Sequence, residues 1–215
     1  MVKIERTPDV PKSLQGKTSG SYDDWDVRAQ LKSDSRNKCY LCERKPPHSP
    51  EIEHLRPHEN GKYPELKYSW KNLFYSCRHC NLVKKAPRYA VDVLDCCEEE
   101  PEAIIHHSIK NRHVCITPIV DTNVAKNTAQ LVEDCFEKIN TPARLDECQE
   151  MFNALMGVMT LLNKKLLVYK KEPSETLLGE LAGMLSREHE FAGFTRTYVR
   201  DHLEKYPDLA PYVQL

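Results

Sequence analysis

Four of the nine cysteines in this 215-residue chain fall into two pairs of equal spacing, Cys39-x2-Cys42 and Cys77-x2-Cys80. A C-x2-C turn sets two thiolates on one side of a tight knuckle. Two knuckles therefore supply the corners of a closed tetrahedral zinc site, which serves structure rather than catalysis. The residues framed by the knuckles can do chemistry. Glu53-His54 lies between them, Asn72 precedes the second, and Asn81 follows its last cysteine. Phosphodiester hydrolysis needs a deprotonated water, an in-line approach, and neutralisation of charge on the phosphate and leaving oxygen. A neutral imidazole, with an ordinary pKa of about 6.5, is the natural general base for it at pH 7. Lys84, Lys85 and Arg88, with Arg56 and Arg78, are candidate phosphate contacts, the alternative being a solvated charged face. His58 either touches the scissile phosphate or is solvated. His79, inside a knuckle, is not needed as a ligand beside four thiolates. Cys135 and Cys148 sit on apolar helical stripes and read as core. Adjacent Cys96 and Cys97, and Cys115, have no metal-ligand spacing. His106, His107 and His113 lack carboxylates at metal spacing and read as surface residues.

The elements that must hold these groups follow from the pattern along the chain. Residues 1–20 are polar and aperiodic and read as a mobile arm, and residues 23–37 suit a short helix carrying Trp25 and Leu31. Glu51 to Leu55 is a short strand, and an open loop with Pro57, Gly61 and Pro64 follows. Leu73-Phe74-Tyr75 is a second strand, and Arg78 to Lys85 a helix ended by Pro87. Neighbouring strand residues point to opposite faces, so Glu53 and His54 do not simply share one side. Residues 86–121 show no clear pattern. Beyond them Val124, Thr128, Leu131, Val132, Cys135, Phe136 and Ile139 repeat at three and four. Thr141-Pro142 is a helix start, and Leu145, Cys148, Phe152, Leu155, Met159, Leu162, Leu166 and Tyr169 mark one face for about 29 residues, roughly 43 Å of helix. Ser174 caps a third helix, and a fourth runs from Phe194 to Leu203. The fold class is α+β: a small zinc-stapled ββα module followed by a mainly helical C-terminal region. The expected division is 1–37 arm and helix, 38–90 nuclease module, 91–121 connector and 122–215 helical docking bundle.

Charge separates the halves. Residues 1–90 hold 18 Lys+Arg against 11 Asp+Glu, net +7, and residues 91–215 hold 13 against 21, net −8, which together give the overall −1. A basic module joined to an acidic one suits nucleic acid on one side and a protein partner on the other. With 29% charged residues and 40% hydrophobic, no run of roughly 18 to 20 uninterrupted apolar residues and no apolar leader, the expectation is a cytoplasmic protein without a membrane span. An odd cysteine count in a reducing compartment argues against a disulfide framework.

The order His54, Asn72, Asn81 inside two C-x2-C knuckles resembles the HNH endonucleases, the zinc-stapled branch of the ββα-metal nucleases, over Cys39 to Lys85. The stretches IEHLRPH, YPELKYSWKNLFYSCRHCNLVKK and FAGFTR (Phe191 to Arg196) are similar to the PtuB-type HNH subunit of the prokaryotic Septu anti-phage systems, which works with an ABC-type ATPase. That resemblance implies His54 as general base, Glu53 and Asn81 as ligands of a catalytic Mg²⁺, and Asn72 as the residue that fixes the loop and orients the His54 ring. Many relatives carry aspartate where Glu53 stands, which puts metal ligation at Glu53 in question more than catalysis at His54. It also implies DNA as substrate, RNA or tRNA being the alternative, and oligomerisation through the ATPase complex. The competing reading is a zinc-knuckle nucleic-acid-binding module, or a non-cleaving subunit of a complex.

Overall fold

The structure, a computed structural model, describes residues 1–59, 62–137 and 142–215. Gly61, Ile139 and the helix-capping role of Thr141 lie outside the described residues. Helix α1 (Trp25–Asp34) is followed by strand β1 (Pro50–His54), the single turn α2 (Pro64–Lys67), strand β2 (Leu73–Cys77) and helix α3 (Arg78–Lys84). The two strands pair antiparallel, with Ile52 opposite Tyr75 and His54 opposite Leu73. Strand, loop, strand and helix thus occur in the expected order. Ile52, Leu73 and Tyr75 pack with Val27, Leu31 and Trp70 in a small core on one side of the sheet. Trp25 is not part of it: 83% of its surface is exposed.

The first 20 residues differ from expectation. They lie along the module, held by polar bonds that leave no trace in a hydrophobic pattern. Thr7 donates its N–H and hydroxyl to Asp34 (3.1 and 2.7 Å), and Ser13 does the same to Asp26 (3.0 and 2.6 Å). Trp70 Nε1 donates to the Thr7 carbonyl at 2.9 Å, and the Tyr68 hydroxyl to that of Gly20 at 2.9 Å.

Residues 91–121 contain a hairpin that the sequence reading left unassigned, β3 (Ile105–Lys110) with β4 (His113–Pro118). Its two-residue turn, Asn111-Arg112, has both φ angles positive (51° and 66°), the backbone that joins twisted strands most directly. The arginine where glycine is the usual residue hides that turn. His107, expected at the surface, is buried on β3 because it shares the inner face with Ile105 two residues before it, whereas His106 and His113 pair with Asp201 and Glu137.

The remainder is helical: α4 (Asn123–Glu137), α5 (Pro142–Lys171), α6 (Glu175–Met184) and α7 (Ala192–Arg200). Ser174 caps α6 by accepting the Leu177 N–H at 3.3 Å. The α5 stripe is buried at Cys148, Leu155, Met159, Leu162, Leu166 and Tyr169, but Leu145 is exposed. By length and composition α5 could cross a bilayer (27 residues, Leu145–Lys171, hydropathy 1.2). Its stripe instead fills the protein core.

One core runs from Cys39, Tyr40 and Phe74 through Leu94 and Ile105 to Leu131, Leu155, Leu185 and Phe191. The ββα module, connector and bundle therefore share this interior, beside the smaller separate core between α1 and the β1–β2 sheet. The FAGFTR segment is a clasp in this interior. Gly193 donates its N–H to Glu43 Oε1 at 3.0 Å. A Cβ at Gly193 would stand 2.7 Å from that oxygen and 2.9 Å from His107 Nε2, so any side chain there must displace Glu43 or His107. Buried Arg196 pairs with Glu102 at 2.8 Å and donates to the carbonyls of Leu185, Tyr212 and Gln214.

Candidate functional site

The four knuckle cysteines are buried, and their sulfurs all lie within 4.8 Å of one another. Cys42 Sγ is 4.0 Å from Cys77 Sγ. A tetrahedral zinc with bonds of about 2.3 Å requires sulfur separations of about 3.8 Å, so the group can hold a metal such as zinc with little movement. The peptide N–H of Cys80 points at Cys77 Sγ (3.4 Å) and fixes the second knuckle. Each knuckle is tied to the sheet: Tyr40 N–H donates to the Tyr75 carbonyl at 3.0 Å, and Cys77 both ends β2 and caps α3. His79 is not a ligand. Its ring lies between the Cys135 carbonyl (2.8 Å from Nε2) and the Glu147 carboxylate (2.7 Å from Nδ1). Cys135 and Cys148 are core residues.

Beside this staple, β1, α3 and the following turn enclose a cleft of about 440 Å³ bordered by Tyr22, Glu53, His54, His58, Asn81 and Lys84, among others. His54 is the last residue of β1, and despite strand alternation it and Glu53 face the same cleft. His54 Nε2 lies 3.0 Å from the Lys67 carbonyl. A carbonyl only accepts, so Nε2 carries the proton and Nδ1 keeps a lone pair. The ring edges of Tyr22 (4.4 Å) and His58 (4.5 Å) close round it. Burial, with lesser repulsion from His58, Lys84 and Lys67, lowers the His54 pKa to about 4, outweighing the Lys67 carbonyl, which raises it. The ring is therefore neutral at pH 7.

Asn72 holds the loop in place. Its Nδ2 donates to the carbonyls of Arg56 and Leu66, both at 2.9 Å, and its Oδ1 accepts the Arg56 N–H at 2.7 Å. Leu66 precedes the residue whose carbonyl fixes His54. A single buried amide thus links the two loop segments on either side of the imidazole.

Glu53 is 5% exposed and Lys84 6%. Lys84 Nζ lies 2.7 Å from Glu53 Oε1, 3.0 Å from the His54 carbonyl and 2.9 Å from that of Leu55. The Tyr40 hydroxyl donates to Glu53 Oε2. Burial raises the Glu53 pKa, opposed by Lys84 and Tyr40. Asn81 donates its amide N–H to Glu51 Oε2 at 2.6 Å. The expected pairing of Glu53 with Asn81 round Mg²⁺ does not suit this arrangement. An ammonium already stands on the carboxylate oxygen a divalent ion would need, and Asn81 is turned to Glu51.

The expected phosphate contacts divide. Lys85 and Arg78 are exposed, and His58 borders the cleft. Arg56 is directed inward, donating to the Val93 carbonyl at 3.0 Å. Arg88 pairs with Asp134 and lies 4.6 Å from the Tyr89 ring centre. Lys84 is buried. Sequence reasoning missed Tyr22, Tyr40, Glu51 and the Lys67 carbonyl. Glu51 had a signal, sharing the Glu53 face two residues away on β1. A backbone carbonyl has none, and Tyr22 reaches His54 only through the packed N-terminal strap.

No protein-family model matches this chain, and no curated protein matches it.

Proposed function

We propose that the chain is an HNH-type endonuclease that hydrolyses phosphodiester bonds, with DNA the first substrate to test, and the nuclease subunit of a Septu-like anti-phage complex. The observation that carries this reading is the neutral His54 imidazole, tied through Nε2 to a backbone carbonyl and with no hydrogen bond at Nδ1 among the described residues, in a cleft with Glu53, Asn81 and Lys84. In this reading Nδ1 takes the proton from the attacking water. Tyr22 and His58 limit the ring's rotation, and Asn72 keeps the loop that carries the Lys67 carbonyl in register. Exposed Lys85 at the rim draws in the phosphate backbone. The magnesium implied by the family resemblance does not suit the resting cleft, so no step is assigned to it.

The partner in this reading is an ABC-type ATPase. The acidic half of the chain suits a basic protein surface, and α5 turns Leu161, Leu167 and Val168 to solvent. Leu161→Asp with Val168→Asp tests that face by pull-down with the ATPase, and undiminished recovery removes the docking assignment. Plasmid nicking by purified wild type and His54→Ala protein tests the activity. Loss of a general base costs about 10²- to 10⁴-fold. Wild-type rates from His54→Ala protein would remove His54 from the chemistry. A wild-type protein that binds but never cuts DNA or RNA would favour the non-cleaving alternative.

A further inference from the structure

Cys96 and Cys97 are the two central residues of a tight turn, closed by the Glu98 N–H donating to the Asp95 carbonyl at 3.1 Å. The turn lies against the N-terminal strap, where Ile4 donates its N–H to the Cys96 carbonyl at 2.9 Å. Arg6 donates through Nε to Cys97 Sγ at 3.3 Å. That guanidinium is fixed in place. It also donates to the Trp70 carbonyl at 2.7 Å and lies 4.9 and 4.6 Å from the Trp70 and Phe74 ring centres. The two thiols differ in access. Cys96 is fully buried, whereas Cys97 is half-buried and borders a cavity of about 400 Å³ with Arg6, Ser69, Trp70 and Lys71. A hydrogen bond between the two thiols lowers the Cys97 pKa, helped by the Arg6 charge and opposed by burial and Asp95. The same bond, together with burial, pushes the Cys96 thiol well up. The cavity sulfur therefore holds the thiolate, and the buried thiol is its S–H donor. Neither belongs to the zinc-binding group.

We propose that Cys96 and Cys97 form a two-thiol oxidation site for hydroperoxides, in which Cys97 attacks the peroxide and Cys96 closes a disulfide onto it. The Cys97 thiolate takes one oxygen as the O–O bond breaks. Its sulfur is oxidised by two electrons to a sulfenic acid, the peroxide is reduced, and the departing hydroxide or alkoxide takes a proton from water. Cys96 then gives up its proton and attacks the Cys97 sulfur. The S–O bond breaks, water departs and the S–S bond forms. A small dithiol reverses this by exchange and is itself oxidised to a disulfide. An accessible low-pKa thiol beside a resolving cysteine is what separates a redox site from a packed core cysteine. This inference does not rest on the nuclease reading.

The test is peptide mass spectrometry on full-length, zinc-loaded protein treated with hydrogen peroxide, quenched by alkylation and cut with trypsin. Tyr89–Lys110 is a single tryptic peptide whose only cysteines are Cys96 and Cys97. It should lose two hydrogens and regain them with dithiothreitol. The loss should run about tenfold or more faster than oxidation of Cys115, which is also half-buried. In Cys96→Ser protein the hydroxyl still donates to Cys97, and the reaction should stop at the sulfenic acid, captured as a dimedone adduct. Arg6→Gln should slow Cys97 oxidation about threefold or more, and Cys97→Ser should leave Cys96 a thiol. A wild-type peptide oxidised no faster than Cys115 overturns the proposal. So does a sulfinic acid on Cys97 with Cys96 still a thiol. The wild-type peptide settles the outcome even if a variant fails to fold.

Discussion

Replacing Asn72 should expose how much one buried amide contributes to both fold and site. Its side chain makes three hydrogen bonds to backbone, at 2.7, 2.9 and 2.9 Å, and it is 6% exposed. Asn72→Ala removes all three and leaves one N–H and two carbonyls unpaired beneath the loop. At about 1 kcal/mol net for each bond, the loss is about 3 kcal/mol. Asn72→Asp is nearly isosteric and keeps the acceptor for the Arg56 N–H, but it sets a carboxylate oxygen against two carbonyls. That contact is relieved only when the new carboxyl is protonated, so its folded pKa lies above its unfolded value. The stability it withholds at neutral pH should return as pH falls below that folded pKa. Urea denaturation of wild type and both variants at pH 7 and pH 4.5 measures this. Asn72→Ala should be destabilised similarly at both, whereas Asn72→Asp should recover part of its deficit at the lower pH. A loss below about 1 kcal/mol for Asn72→Ala, or a pH-independent Asn72→Asp, would refute the reasoning.

Other outcomes follow from the same geometry. Cys77→Ser should release zinc and, because the knuckles share one core with the bundle, unfold the protein in a single transition. A structural site contributes on the order of 10 kcal/mol, and an intact bundle melting separately in calorimetry would contradict the shared core. His54 has its pKa lowered from 6.5 to about 4, so nicking should persist to about pH 4.5, and an acid limb near pH 6.5 would place the ring in water. Linkage gives the same group a stability term that is full above pH 6.5 and lost as pH falls towards 4, because the unfolded chain takes the proton first. The shift corresponds to about 3 kcal/mol at most, less for a ring partly open to solvent, and a urea series across pH 4–7 reads it. Gly193→Ala should cost about 1 to 3 kcal/mol by overpacking against Glu43 and His107, and an unchanged denaturation midpoint would argue against the clasp.

Much of this protein is legible without coordinates. Equal C-x2-C spacings select four thiols for one metal-binding group, because ligand spacing in a knuckle is local. Helices α4 to α6 are visible in three-and-four periodicity and in the Ser174 cap, and the ββα order follows from short apolar runs between turn residues. Other features depend on contacts between residues far apart in the chain. His54 is neutral because Tyr22, His58 and burial surround it, and its tautomer is set by the carbonyl of Lys67, which any residue at that position would supply. The strap of residues 1–20 is held by side-chain bonds to Asp26 and Asp34, which no periodicity encodes. Lys84 could be read from sequence as a phosphate contact because charge is visible there. That its three donors end on Glu53 and two carbonyls is decided only when α3 packs against the end of β1.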